Sequence, residues 1–325
     1  MASSSARTGG QDAGPNPLRG GMRPVRTILR GIAQVDFQPN HWTGLIFLIA
    51  LFAGGWQYGV FGLLGTVAAT LTASLLGADR HGIVLGLEGF CGTLVGVALV
   101  LYLGAGWMTA VVVVGAGVAT SVLTSALTVV LKPYGIPGFT APFCMVTTVM
   151  VLGAPSYDRV WAGHPDTPAP SASRPGTTMT WTDVWHGFFN GVGQVFFQNK
   201  WYVGLIFLIG LAVSSRLVAA AAAAASLIGL LVAWGLGVAA ADIGAGLYGY
   251  NAVLTGIALT GTFLALSPAG VVFAAIGAAT ATALTAGIGN LFTVVGGHTL
   301  TWPFVLVTWV FLASVPLFSK LLRAT

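Results

Sequence analysis

The sequence has very little charge. Only 6% of its 325 residues are Asp, Glu, Lys or Arg, whereas 56% are apolar, and an average soluble domain carries about 25% charged residues. So few solvating groups cannot cover the surface of a 33.2 kDa globule in water, which predicts an integral membrane protein. Residues 37–78 and 89–131 contain no Asp, Glu, Lys or Arg. Because one span takes about 20 residues, each stretch must fold back at least once.

Cysteines and catalytic motifs are also scarce. The two cysteines, Cys91 and Cys144, both lie in apolar segments, which argues against a disulfide scaffold and a thiolate metal site. No metal and no other cofactor is predicted. Neither Gly-x-Ser-x-Gly nor His-Glu-x-x-His occurs, so no catalytic residue is proposed and the chain is not predicted to be an enzyme.

The basic residues lie at the two ends of the apolar region. Five arginines precede the first apolar segment, and Lys320 and Arg323 follow the last. This placement is typical of the cytoplasmic flanks of membrane spans, so both termini are predicted to be cytoplasmic, the span number even, and nucleic acid is not a predicted partner. Residues 1–30 are predicted to form a disordered basic tail. The start lacks a signal peptide, which favours a bacterial cytoplasmic membrane.

The apolar segments predict helices. Residues 217–233 are apolar on every face apart from Ser226, whereas the strands of a membrane barrel alternate apolar and polar side chains. The length of the apolar region allows about ten helical spans. The predicted fold class is therefore an all-α integral membrane protein.

The chain contains an internal duplication. Residues 31–51 and 191–211 are identical at 12 of 21 positions, an offset of 160. Two further motifs recur in the same order at nearly the same offset, which is typical of a repeated structural unit. We predict a tail (1–30), a first transmembrane repeat (31–153), a Pro/Ser/Thr-rich linker (154–185) and a second transmembrane repeat (186–325).

An equal division of ten spans gives each repeat five, and an odd number makes the second copy enter the membrane from the opposite side. Inverted repeats commonly place the solute path near the bilayer midplane and line it with interrupted helices. The repeated Gln, Phe and Thr residues are the candidates for that path.

Gln34 and Phe37 share one helix face, as do Gln194 and Phe197. An uncharged amide offers two donors and an acceptor, which suits a neutral polar solute. The alternative is that each Gln braces a helix break and each Phe is an anchor at the membrane interface.

Two threonines and two acids complete the candidates. Thr140 and Thr301 each precede a proline by two residues, so each is predicted to cap a helix that begins beside the path. Glu88 and Asp242 have no acidic counterpart in the other repeat. Acids within a membrane are functional candidates by default, and we place them near a pore mouth or a helix end.

The motifs together resemble the urea transporter family, over about residues 31–321. The matching segments are Gln-x-x-Phe-Gln-Asn (194–199), Gly-Leu-x-Gly-Tyr-Asn-x-Val-Leu-x-Gly-Ile-Ala (246–258), Phe-Thr-Ala-Pro-Phe (139–143) and Leu-Thr-Trp-Pro-Phe (300–304). The resemblance implies a homotrimer in the lipid bilayer that passes urea down its gradient. It also implies one pore per protomer, between two inverted repeats of five spans plus re-entrant half-helices.

Carried onto matching positions, the resemblance implies a pore with two aromatic slots, two outer polar sites and a central constriction. The slots would be Phe37 with Phe90 and Phe197 with Tyr250; the other lining residues would be Gln34, Val35, Leu94, Thr140, Gln194, Val195, Leu254 and Thr301. The first repeat departs from the family pattern because Cys91 stands where the motif has Asn, matched here by Asn251. Glu88 and Asn251 are predicted at a pore mouth.

Two alternatives stay open. One is a channel for another small neutral solute, such as a short amide, ammonia or water, although no histidine falls at a repeated position and no Asn-Pro-Ala turn occurs. The other is an ion-coupled urea transporter, in which Glu88 and Asp242 would carry the coupling.

Overall fold

The computed structural model describes residues 22–160 and 178–324, and the helices and turns in these ranges form an all-helical protein. The first repeat contains α1 (Met22–Ala33), α2 (His41–Gly54), α3 (Trp56–Leu75), α4 (Arg80–Leu85), α5 (Phe90–Leu103), α6 (Trp107–Leu131) and α7 (Ala141–Gly153). The second repeat contains α8 (Trp181–Gly193), α9 (Trp201–Ser214), α10 (Arg216–Gly235), α11 (Ala240–Gly244), α12 (Tyr250–Ile257), α13 (Pro268–Thr293) and α14 (Trp302–Ser314).

Two domain boundaries differ from the sequence prediction. Residues 22–30, assigned to the tail, belong to α1, and α8 begins at Trp181, inside the predicted linker. The rest of the tail and residues 161–177 of the linker lie outside the described residues. Both corrections have a local cause. Residues 22–33 pack one face of α1 against α2, and α8 starts with a capping box in which Thr180 and Asp183 satisfy each other's backbone N–H groups.

The two repeats have the same order of helices, with one irregular exception. α5 has 14 residues, whereas its counterpart α12 has eight and continues into a π-helical segment, Ala258–Thr262. Gly261 in that segment has a φ of 79°, which a glycine adopts at no steric cost. The helical path therefore breaks in the second repeat at a point where the first repeat stays regular.

Four helices are long and apolar enough to cross a membrane by length and composition, namely α3, α6, α10 and α13, and the bent pair α8 and α9 makes a fifth if counted as one span. α8 and α9 meet at 71°. Shorter apolar helices, α2, α5, α7 and α14, lie between them. The all-helical membrane fold is confirmed, while the span number of ten stays a prediction.

α2 and α9 join the two repeats, and they run antiparallel. Thr43 Oγ1, near the start of α2, donates to the Gly210 carbonyl near the end of α9 at 2.9 Å. Lys200 Nζ, just before α9, donates to the Gly54 carbonyl at the end of α2 at 2.8 Å. Between them, the rings of Phe47 and Phe207 meet at 4.9 Å between centroids. The contact is apolar at its centre and hydrogen-bonded at both ends.

Close helix crossings within each repeat depend on equivalent glycines. A Cβ added at Gly44 in α2 would collide with the Leu29 carbonyl in α1, and one added at Gly204 in α9 would collide with the Phe189 carbonyl in α8. Small residues let membrane helices approach until their backbones touch. The bend between α1 and α2, and that between α8 and α9, therefore require glycine.

The first prediction concerns this crossing. Gly44→Ala should lower protein stability by about 1–3 kcal/mol, because the backbone of α1 must move away. Gly115→Ala is the matched control, since Gly115 lies within α6 and a Cβ there meets nothing within 4 Å. Thermal unfolding of the detergent-purified proteins measures both. Equal melting temperatures for the two variants would contradict the assigned role of Gly44.

Candidate functional site

Two phenylalanines adopt a backbone conformation that bulky side chains seldom have. Phe37 has a φ of 61° and Phe197 a φ of 60°. Each follows a single 3₁₀ turn, Gln34–Asp36 or Gln194–Phe196, and each phenylalanine N–H donates to the carbonyl of the glutamine that opens the turn, at 3.0 Å. The left-handed residue ends one helix and turns the chain toward the next.

The same strain recurs at a second repeat pair. Phe139 (φ 48°) and Leu300 (φ 46°) directly precede Thr140 and Thr301. Within the described ranges, these two pairs are all the non-glycine residues with positive φ. A left-handed bulky residue costs about 1–3 kcal/mol, and such residues cluster at functional sites. The residues with a strained backbone therefore lie in the same segments as the repeated sequence motifs.

Each repeated glutamine amide braces the chain at the end of a short helix. Gln34 Nε2 donates to the Leu85 carbonyl at 3.0 Å, and Gln194 Nε2 donates to the Ala245 carbonyl at 2.9 Å. The bracing alternative considered from the sequence is thus present in both repeats. The Oε1 atoms have no partner among the described residues, and neither is sealed from solvent, so each amide keeps a free acceptor.

The two threonines meet at the junction of the repeats. Thr140 Oγ1 and Thr301 Oγ1 are 2.6 Å apart, and Cys144 Sγ lies 3.1 Å from Thr301 Oγ1. Both threonines occupy the N-cap positions of α7 and α14, as predicted, but neither side chain caps its helix. Instead the hydroxyls hydrogen bond to each other, because the two helix starts face one another and Pro142 and Pro303 remove donors that a cap would satisfy.

The aromatic rings form two groups. Phe37 contacts Phe263, Phe139 and Phe304 at centroid distances of 5.4, 6.0 and 6.1 Å. These four residues are called the first aromatic group.

The second aromatic group consists of Phe197, Phe143, Tyr102 and His298. Phe197 contacts Phe143 at 6.0 Å and Tyr102 at 6.2 Å, and Tyr102 stacks on His298 at 4.1 Å. The predicted partners Phe90 and Tyr250 make no direct ring contact with Phe37 or Phe197 within the described structure, and both are partly buried.

The four aliphatic residues predicted to line the path are buried, as are the rings of Phe143 and Phe304. Val35, Leu94, Val195 and Leu254 are all fully buried. Their place in the walls of a path stays a prediction.

Two residues predicted at a pore mouth have different surroundings. Asn251 is fully buried; its Nδ2 lies 3.2 Å from Thr285 Oγ1 and its Oδ1 accepts from the Phe304 N–H at 3.2 Å. Its amide holds the start of α14 by interhelical hydrogen bonds, and its place at a pore mouth stays a prediction. Glu88 is partly buried in the turn between α4 and α5. Asp242 is buried in α11.

Within residues 22–160 and 178–324, no three His, Cys, Asp or Glu side chains come together as a metal site. Apart from Asp36, the polar side chains of the strained segments are uncharged amides and hydroxyls, which can bind a neutral polar solute.

Comparison with known proteins identifies the family. A family model described as urea transporter matches residues 25–316. Urea transporter 1 of Capra hircus is 33% identical over 296 residues, which cover 89% of this chain and 76% of that protein. The chain belongs to the urea transporter family. Urea transporter 1 of Mus musculus is 33% identical over 293 residues, 88% of this chain and 75% of its own length. The match confirms the predicted family, and with it a urea transporter and not an enzyme.

The structure of this urea transporter family member adds residues that the sequence analysis missed. Asp36 lies between Gln34 and Phe37, is 1% exposed, and neither of its carboxyl oxygens has a hydrogen-bond partner among the described residues. Its counterpart in the second repeat is Phe196. The mismatch of an acid with a phenylalanine in the repeat alignment was a usable signal. Tyr102 and His298 gave no local signal, because they are far apart in the chain.

The second prediction concerns Asp36. Burying an unpartnered polar group costs about 1–3 kcal/mol, so Asp36→Val should stabilise the protein by a similar amount. Asp36→Asn is the matched control, since it keeps the shape and the unpartnered polar group and should gain less. The measurement is thermal unfolding in detergent. A melting temperature of Asp36→Val below that of the unmodified protein would show that the carboxyl group contributes favourably.

Proposed function

We propose that each protomer conducts urea passively along a path that runs from one aromatic group, past Thr140 and Thr301, to the other. The observation that carries the proposal is the coincidence of backbone strain with the repeated motifs. The strained residues flank the glutamines and the threonines in both repeats. Strain at equivalent positions of two copies indicates a function shared by both, since packing alone does not require it.

α5 supports the order of groups along the path. It begins at Phe90, next to the turn that holds Gln34, and its last turn carries Tyr102, which contacts Phe197. In the second repeat, α12 begins at Tyr250 and the π segment after it leads to Phe263, which contacts Phe37. Twelve helical residues rise about 18 Å. Phe90 and Tyr102 thus lie about that far apart along α5, one toward each end of the proposed path.

The side chains suit urea. Urea is planar and uncharged, with four N–H donors and one acceptor oxygen, and each donor left unpaired costs about 1–3 kcal/mol. The free Oε1 atoms of Gln34 and Gln194 accept N–H groups, and the hydroxyls of Thr140 and Thr301 can donate or accept. Aromatic faces on both sides of a slot favour a flat solute. Hydrogen bonds to these side chains thus replace those to water that urea loses on entry.

The same residues disfavour ions. None of the side chains proposed to line the path is charged, so an ion entering it would lose its hydration without compensation. Glu88 and Asp36 are close in the chain to lining residues but are not among them. The proposal therefore keeps the passive mechanism and does not need an ion gradient.

The antiparallel pairing of α2 and α9 supports inverted repeats. These helices are equivalent in the duplication, and equivalent helices that run in opposite directions are related by a two-fold axis perpendicular to them. If both lie across the membrane, that axis lies in the membrane plane, as in other inverted transporters. The two strained pairs would then face each other across the midplane.

The resemblance and the charge distribution support a proposal for the oligomeric state and the orientation. We propose a homotrimer in the cell membrane with one path per protomer. Basic residues before α2 and after α14 favour cytoplasmic termini on both ends. A bacterial cytoplasmic membrane stays a prediction, since the relatives named above are mammalian.

The third prediction tests passive transport. Proteoliposomes should take up urea rapidly in stopped-flow light scattering, at equal rates with and without a proton or sodium gradient. Acetamide and glycerol serve as competing solutes in a second assay, the uptake of labelled urea. Each should reduce the rate of that uptake less than the same concentration of unlabelled urea does. Accumulation of urea driven by either gradient would contradict the passive mechanism and assign coupling to Glu88 or Asp242.

The fourth prediction tests the central constriction. Thr140→Trp should reduce urea permeability at least tenfold, because an indole cannot fit between two helix starts whose hydroxyls already touch. Thr128→Trp is the control, since Thr128 is exposed on α6 and its substitution leaves the path unchanged. Thr140→Val, which removes only the hydroxyl, is a milder variant that should slow urea if folding tolerates no indole. Normal flux through both well-folded Thr140 variants would place the constriction elsewhere.

A further inference from the structure

Tyr102 lies on the face of α5 that lines the proposed path. Leu94, Ala98 and Tyr102 follow one another at intervals of four residues, which places them on one helix face. Leu94 and Ala98 are fully buried, and Tyr102, in the last turn, is partly exposed. That face therefore leads from the wall beside the first aromatic group to an aromatic ring in the second group.

The Tyr102 ring is held on two sides. It meets the Phe197 ring edge-on, at 6.2 Å and an interplanar angle of 79°, and it stacks on His298 at 4.1 Å and 11°. One residue of the predicted slot, Phe197, thus borders Tyr102 directly.

The hydroxyl of Tyr102 is unpartnered within the described structure. It has no hydrogen-bond partner among the described residues, and it is not one of the polar atoms sealed from solvent. Tyr250 differs, because its hydroxyl donates to the Leu300 carbonyl at 2.7 Å. Two phenols therefore lie at the predicted slot of Phe197 and Tyr250. The Tyr250 hydroxyl supports the backbone, whereas the Tyr102 hydroxyl makes no hydrogen bond within the described structure.

The first slot has no such group. The residue equivalent to Tyr102 is Phe263, at the same offset of 161 that relates Thr140 to Thr301, and Phe263 contacts Phe37 at 5.4 Å. Equivalent positions beside the two left-handed phenylalanines thus present a hydroxyl in one slot and only a ring edge in the other.

We propose that Tyr102 is a further solute-contacting residue of the path, whose hydroxyl hydrogen bonds to urea in the slot formed by Phe197 and Tyr250. His298 is a positioning residue that fixes the plane of the Tyr102 ring. The inference rests on the proposed function. It makes the two ends of the path unequal, with stronger urea binding at the end that carries Tyr102.

The test is the concentration dependence of urea flux in proteoliposomes. Tyr102→Phe removes one oxygen atom and keeps the ring, so the half-saturating urea concentration should rise about three- to tenfold, the effect of losing one hydrogen bond. His298→Ala keeps the hydroxyl but frees the ring, and it should give a smaller rise. Tyr134→Phe is the matched control, because Tyr134 is 68% exposed and lies in the turn after α6.

The outcomes separate this inference from the proposed function. If the unmodified protein conducts urea and Tyr102→Phe keeps its half-saturating concentration, the Tyr102 hydroxyl does not contact the solute and the inference is wrong, whatever the effect of His298→Ala. A rise with Tyr102→Phe and none with Tyr134→Phe would support it. If the unmodified protein passes no urea, the proposed function fails and the inference fails with it.

Discussion

Backbone polar groups inside a membrane must find partners within the protein, and the helix interruptions in this chain depend on that constraint. Each repeat breaks a helix at a 3₁₀ turn and again before α7 or α14. The amides of Gln34 and Gln194 satisfy backbone carbonyls at the ends of α4 and α11. These hydrogen bonds stabilise the breaks, and the breaks in turn bring polar groups to the centre of an otherwise apolar structure.

The duplication preserves the backbone conformations along the proposed path more strictly than the side chains around it. The left-handed phenylalanines and the two threonines recur with the same geometry. Other equivalent positions have diverged: Cys91 in the first repeat corresponds to Asn251 in the second, and Asp36 corresponds to Phe196. A backbone conformation leaves few acceptable residues, whereas a packing position tolerates any side chain of suitable volume. The two ends of the path can therefore differ in chemistry while they keep one geometry.

Uncharged groups explain how such a path can be selective. Hydrogen bonds from amides and hydroxyls compensate a neutral solute for the water that it loses, but they compensate an ion poorly. In the proposed path, the aromatic groups restrict the cross-section and do not add charge. Thr140 and Thr301 are already hydrogen-bonded to each other, so in the proposed path a solute at the centre would exchange that bond for bonds to itself, which would keep the cost of passage low.

The sequence by itself determined the membrane class, the duplication, the family and most of the polar and aromatic candidates, because composition and repeated motifs are local properties of the chain. It did not determine that Asn251 is buried between helices, that Asp36 has no partner, or that Tyr102 stacks on His298 beside Phe197. Those facts depend on contacts between residues far apart in the chain. Only the packing of the two repeats against each other decides which side chains meet, and periodicity within one helix carries no information about its neighbour.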